Sequence, residues 1–485
     1  MQQENLKEKT AKGLFWGGLS NGVQQLLNMV FGIFLARLLS QSDYGMVGML
    51  TVFSALASTL QEGGFMSALI RKKDATQRDF NAVFWTNVSV GFLLYVVLFL
   101  SAPLIARFYG IPELVPLARF IFIGLFISSL GIVPGAIMYR NMMVKELAVC
   151  SFVTQIISGI LAVFLARQGF AYWGIAIQTV VYVSLAQLMR YSFTRWRPTL
   201  KFDFSPVREM IGFSSKLIVT NMFNVINANI FPILLGKLYT PREVGNYTQA
   251  NKWNNMGSTL VGSMVGAIAQ PVFARTDNDT VRQKRVFRKL LRFTAFVSFP
   301  AMFGLALVAE EFIVILLTEK WIESARMMQV LCIAGAFAPI STLFSNLIIT
   351  RGHSTTYMWC SIAQCLLQLG AAVLAAPYGI TRMIEVYVVI NISWIFVWHF
   401  FARQEIGLNI MEVLKDLFPY VTLSTLLVIA AGVLTMSVSN QYASFAGKVA
   451  FVALGYCISL WLLKSTIFME AVEFVLRRLK MKNER

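Results

Sequence analysis

Long apolar stretches follow one another from one end of the chain to the other. Val88–Leu100 and Leu423–Leu434 hold no charged residue at all, and similar runs recur with short polar connections between them. A stretch of about 20 apolar residues crosses a bilayer as a helix, because a helix satisfies its own backbone hydrogen bonds where there is no water to do so. The pattern predicts about fourteen spanning helices, at 13–37, 45–70, 80–107, 119–139, 147–166, 170–189, 211–236, 244–273, 293–318, 326–349, 356–377, 380–402, 416–436 and 446–464. The expected fold class is therefore an all-α polytopic membrane protein. Charged residues are only 14% of the 485, where soluble domains carry about 25%, and mean hydropathy is +0.64. The deficit extends over the whole length, and no connection is long enough for an inserted soluble domain. The polar segment Met1–Lys12 and the long apolar run Leu14–Ala36 do not resemble a cleaved signal peptide.

The formal net charge is +18. In a soluble protein this would suggest nucleic acid, but the placement of the charges argues for a membrane and against a nucleic-acid partner. With the N-terminus inside, 30 of the 42 Lys and Arg fall on the cytoplasmic side, 10 on the other and 2 within spans. That bias orients the protein with both termini in the cytoplasm of a bacterial-type inner membrane. The basic segments Asp277–Phe293 and Glu470–Arg485 are expected to touch anionic lipid headgroups.

The chain repeats itself at a spacing of 200 residues. Phe34–Gly45 (FLARLLSQSDYG) aligns with Leu234–Gly245 (LLGKLYTPREVG), matching Leu35 with Leu235, Arg37 with Lys237, Ser40 with Thr240, Asp43 with Glu243 and Gly45 with Gly245. Spans 1–6 and 7–12 thus read as two lobes in the same orientation, residues 1–203 and 204–405, with two further helices and a basic tail in 406–485. An even number of spans per lobe makes the repeat parallel, as in many transporters.

Span 1 carries Asn21, Gln24, Gln25 and Asn28 on one face, and span 7 carries Asn221, Asn224 and Asn227. Span 2 holds Gln61 and Glu62, and span 8 holds Gln249, Asn251, Lys252, Asn254 and Asn255. Amides in hydrocarbon must face protein or a water-filled cavity, and two matching stripes favour a cavity. Glu62, Lys216 and Lys252 are the charged residues to weigh inside it. Gly18-x-x-x-Gly22 and Gly262-x-x-x-Gly266 suggest close helix packing. The five cysteines lie in apolar segments without metal-ligand spacing, and the two histidines, His353 and His399, are far apart. No P-loop, nucleophile elbow or metal motif is present, so neither an enzyme nor a metal or other cofactor is expected. Short outer connections disfavour a membrane glycosyltransferase.

Lys12-Gly13-Leu14-Phe15-Trp16, Leu35-Ala36-Arg37-Leu38-Leu39, Asp43-Tyr44-Gly45, Gly63-Gly64-Phe65, Ala68–Arg71, Pro134 and Arg140 together resemble the Wzx-type lipid-linked oligosaccharide flippases, colanic acid exporter subgroup. These belong to the multidrug/oligosaccharidyl-lipid/polysaccharide exporter superfamily. The resemblance implies two six-helix lobes around a central cavity bounded by helices 1, 2, 7 and 8. It implies transfer of an undecaprenyl-diphosphate-linked oligosaccharide to the outer leaflet, and association with the polysaccharide polymerase machinery. Lys216 and Lys252 would pair with diphosphate or acidic sugars. Glu62 would carry coupling to a proton or sodium gradient. A cation-coupled multidrug antiporter of the same superfamily is the alternative; an acidic cavity and twelve helices would fit it better.

Overall fold

The computed structural model describes residues 22–62, 65–72, 74–200, 205–275, 279–470 and 472–473; side chains in 206–220 and at a few further positions lie outside the description. Among the described residues there is no strand. The helices are α1 (Gly22–Leu38), α2 (Gln41–Glu62), α3 (Phe65–Arg71), α4 (Gln77–Tyr109), α5 (Leu114–Ser129), α6 (Ile132–Arg140), α7 (Val144–Arg167), α8 (Tyr172–Thr194), α9 (Ser205–Leu238) and α10 (Pro241–Arg275). They continue as α11 (Thr280–Leu307), α12 (Ala309–Leu317), α13 (Ile322–Thr350), α14 (Ser354–Ala375), α15 (Ile380–Ile406), α16 (Ile410–Thr435) and α17 (Gln441–Leu462). Two predicted spans are each divided in two, as α5–α6 and α11–α12, and α5–α6 bends by 46°. Nine of the described helices are long and apolar enough to cross a membrane, ten with that bent pair counted as one. The protein is a multi-pass membrane protein. α10 is 35 residues long but is not in that set, because Asn, Gln and Lys crowd it.

By contacts the chain divides into two units, Met1–Thr248 and Gln249–Arg485. In the first, α4 packs on α5, α7 on α8, and α9 lies against α2 and α4. The residues matched in the repeat have a local chemical purpose here. The Ser40 backbone N–H donates to Asp43 Oδ2 at 2.8 Å, and the Thr240 N–H donates to Glu243 Oε2 at 2.9 Å. Each is the carboxylate half of a capping box, which satisfies donors that the first turn leaves orphaned. Asp43 also accepts from the Tyr172 N–H at 3.1 Å, holding the start of α8 to the start of α2. Pro241 sits at the first helical position of α10, where its missing N–H costs nothing.

The two capped starts cross at glycine. A Cβ on Gly45 would stand 1.8 Å from Pro241 O, and one on Gly245 would stand 1.8 Å from Gln41 O. Each glycine lies under the first residue of the other helix. Gly22, Gly262 and Gly266 behave otherwise, since a Cβ there meets nothing within 4 Å among the described residues. The close packing expected of the Gly262-x-x-x-Gly266 motif is therefore not found. Small residues permit close approach, but a neighbour must also arrive.

The segment after α8 is strapped to α4. Thr199 N–H donates to Asn81 Oδ1 at 3.0 Å, Trp85 Nε1 donates to Thr199 O at 2.9 Å, and Trp196 Nε1 donates to Gln77 Oε1 at 2.9 Å.

In the second unit α11 packs on α13 and α16, α13 on α15, and α16 on α17. An ionic clasp joins α11 to α16. Arg288 binds Asp416 through Nε and Nη2, at 2.6 and 3.1 Å, and reaches Glu412 at 3.2 Å; Lys284 pairs with Glu412 at 2.6 Å. Part of the basic charge in 277–293 is thus neutralised inside the protein, not left for headgroups.

Candidate transport site

Polar groups within a membrane span must find partners inside the protein. At Gln61 on α2 two buried side chains supply them. Asn87 of α4, wholly buried, donates its amide to the Gln61 carbonyl at 2.6 Å. The Gln61 side chain, 3% exposed, lies among Leu125 O, Ser128 Oγ and Ser129 N, all within about 3.1 Å when its amide nitrogen faces the carbonyl. At the far end of α3, Arg140 donates to the carbonyls of Leu69 and Lys72. Asn87 and Ser128 thus hold Gln61 of α2 and Arg140 holds the end of α3, and sequence reasoning did not assign these three to the site. The only sequence signals were an Asn inside an apolar span and an Arg ending another.

Glu62 is exposed, and Arg190 of α8 is the charged group whose field acts on it. Arg190 itself donates to Gln187 Oε1 at 3.2 Å. The sequence placed Arg190 in a cytoplasmic connection; α8 carries it to Glu62.

The polar stripes fall as follows. Gln24 is half-buried and donates to Tyr182 Oη at 3.4 Å, tying α1 to α8. Asn28 is also half-buried, and Gln25 is exposed. On α9, Asn221 is exposed and Asn224 half-buried. Asn21 and the Lys216 side chain lie outside the described residues. On α10 the polar residues separate into two faces. Gln249 is 1% exposed and joins Trp253, Asn254 and Ser258 on the packed face, where neither Gln249 amide atom has a hydrogen-bond partner. Asn255 is exposed, and Lys252 is half-buried with its ammonium 5.8 Å from the Trp253 ring centroid. Among the described residues Lys252 pairs with no carboxylate. A half-buried lysine on a spanning helix without a counter-ion is costly unless an anion visits it.

Against known proteins, the polysaccharide biosynthesis protein family matches residues 34–326. The chain belongs to this family. It is 25% identical over 453 residues to the teichuronic acid biosynthesis protein TuaB of Bacillus subtilis (strain 168), covering 92% of each chain. It is 25% identical over 356 residues to the lipopolysaccharide biosynthesis protein WzxC of Escherichia coli (strain K12), covering 72% of this chain and 71% of WzxC. Among solved structures, an inward closed conformation of the lipid II flippase MurJ superposes with a TM-score of 0.76 at 14% identity, over 93% of this chain and 99% of MurJ. That likeness establishes the fold of the family member. Among the described residues no group of three His, Cys, Asp or Glu is placed to hold a metal.

Proposed function

We propose that this family member is a flippase that carries an undecaprenyl-diphosphate-linked oligosaccharide from the inner to the outer leaflet by alternating access, for surface polysaccharide export. The observation that carries the reading is Lys252 of α10, a half-buried cation with no carboxylate partner among the described residues. It is a counter-ion site for diphosphate or acidic sugar. Family membership supplies the substrate class, and relatives named for teichuronic acid and lipopolysaccharide biosynthesis support it. An unpaired lysine also disfavours the multidrug antiporter, whose cations it would repel. Lys216 is a second cation of the same role, and Asn21, Gln24, Gln25, Asn28, Asn221, Asn224, Gln249 and Asn255 are the polar groups assigned to the substrate. Glu62, under the influence of Arg190, couples transport to a proton or sodium gradient. The lobes are residues 1–203 and 204–405, with 406–485 appended. The protein resides in the cytoplasmic membrane with both termini inside and works beside the polysaccharide polymerase machinery.

Reconstituted vesicles carrying a lipid-linked oligosaccharide test this directly. An impermeant lectin should gain access to the sugar faster with protein than without; equal rates would sink the proposal. Lys252→Ala should slow the transfer roughly tenfold, the worth of one charge-assisted contact, while Lys252→Arg retains most of it. If Lys252→Ala transfers at the wild-type rate, Lys252 is an interfacial residue and not an anion site. Topology is checked separately in a Cys457→Ser background, since Cys457 is the exposed cysteine. A cysteine at position 280 should escape an impermeant thiol reagent in intact cells, and labelling there would invert the orientation.

A further inference from the structure

The antiparallel pair α4–α5 carries a seam of aromatic rings. A Cβ on Gly91 would meet Ser129, the rings of Phe92 and Phe126 lie 5.8 Å apart, and Tyr95 touches both Phe99 and Phe126. That register brings Arg119 of α5 opposite Phe99, with its guanidinium carbon 4.4 Å from the ring centroid. Phe92 and Leu100, beside Phe99 on α4, are exposed, so in a multi-pass membrane protein this side of the pair faces lipid. Arg119 itself is half-buried. Among the described residues it makes no hydrogen bond and pairs with no carboxylate, and its Nε is buried without a partner.

Depth follows from helix geometry. The polar start of α4 ends at Asn81, and Phe99 lies about 27 Å further along at 1.5 Å per residue. A bilayer's hydrocarbon core is about 30 Å thick. Arg119, opposite Phe99, therefore stands at the far edge of that core, within side-chain reach of lipid phosphates. An arginine that only snorkelled would extend past the start of α5 into water; this one stays level with its own turn, over a ring. The face of Phe99 attracts the cation without neutralising it, and an unpaired guanidinium at that depth is costly. A phosphate lowers the cost by accepting two parallel N–H bonds from the guanidinium fork. With no carboxylate to neutralise Arg119, a head of net negative charge is favoured over a zwitterion, whose cationic end the arginine repels.

We propose that Arg119 binds the net-anionic phosphate headgroup of a membrane lipid whose chain lies along the seam of Phe99, Phe126 and Phe92. The site belongs to the leaflet that the α4–α5 turn reaches, which is the outer one under the proposed topology. It rests on the surroundings of Arg119 and not on which substrate is transported.

Native mass spectrometry of the full-length protein, released from nanodiscs of equal phosphatidylglycerol and phosphatidylcholine, tests it. The wild type should retain one phosphatidylglycerol more than Arg119→Gln, favoured over phosphatidylcholine by roughly tenfold for a charge-assisted contact. Arg119→Lys should keep the preference but hold the lipid more weakly, because it keeps the charge and loses the fork. Phe99→Leu keeps the arginine and removes its platform, so it should also weaken retention, and these two variants carry the test if Arg119→Gln does not fold. Arg326→Gln is the control for net charge, since Arg326 near the start of α13 is exposed; it should retain lipid as the wild type does. Retention unchanged in Arg119→Gln would overturn the proposal, as would an equal loss in Arg326→Gln. Added undecaprenyl phosphate separates the two sources of the headgroup. Displacement at an equal concentration assigns the site to the carrier lipid, and none assigns it to the bulk phospholipid, either being a lipid phosphate on Arg119.

Discussion

Gly45→Ala is expected to be among the most damaging single-methyl changes this chain can suffer. The new Cβ would lie 1.8 Å from Pro241 O, whereas carbon and carbonyl oxygen approach no closer than about 3.3 Å. The two helix starts would have to separate by about 1.5 Å. Neither can yield locally. Pro241 has a fixed φ, and both starts are pinned by their capping carboxylates, Asp43 and Glu243. Overpacking a rigid contact costs about 1–3 kcal/mol, and backbone against backbone belongs at the top of that range. Gly245→Ala should cost the same, since it meets Gln41 O in the mirror-related way. One separation relieves both clashes, so the double variant should cost clearly less than the sum of the singles. Gly262→Ala is the control, because it meets nothing within 4 Å and gains helix propensity. Thermal melting in detergent of the four variants would decide. Wild-type midpoints for Gly45→Ala and Gly245→Ala would show that the helix starts are not held together here.

The sequence could reveal the match between Ser40-x-x-Asp43 and Thr240-x-x-Glu243 because capping chemistry is local and needs only four residues. It could mark the chain as many apolar spans because the bilayer imposes a length, of which nine described helices, ten with the bent pair, are long and apolar enough to cross. It could not say what a polar face meets. Gln249 and Lys252 lie three residues apart on one polar helix, yet Gln249 is fully buried and Lys252 half-buried. Periodicity defines a face, and a face packed on another helix has the same pattern as one facing water. Asn87 was illegible for a related reason. Its partner is the Gln61 carbonyl at 2.6 Å, a backbone atom of another helix that no pattern along α4 announces. The same holds for Arg140, which read as a positive-inside charge and serves also as the cap of α3. Arg190 read likewise as a loop charge, although a helix five residues longer at that end, running to Thr194, includes it and lets its field act on Glu62.

Asp416→Ala should lower stability by about 3 kcal/mol, the low end for a broken buried ion pair. The low end applies because Arg288 keeps 31% of its side-chain surface in solvent and can recover some hydration, while Asp416 is only 6% exposed. Two of its bonds to Arg288 would vanish, at 2.6 and 3.1 Å, and Arg292 at 3.7 Å would lose its nearest carboxylate oxygen. What remains is a cationic cluster, Lys284, Arg288 and Arg292, facing only Glu412. The damage therefore comes less from the lost attraction than from the charge left behind. Removing both partners should prove this. Arg288→Leu with Asp416→Leu removes the main stranded cation and leaves only Arg292, 36% exposed, without Asp416, while Glu412 keeps Lys284 at 2.6 Å, so the double variant should be more stable than Asp416→Ala alone. The clasp is what fastens α16 to α11, so its loss should be felt at that junction first. Limited proteolysis of the 407–409 connection should quicken in Asp416→Ala and return towards the wild-type rate in the double variant. If the double variant is the less stable of the two, attraction across the pair outweighs the orphan charge, and the clasp stabilises the protein directly.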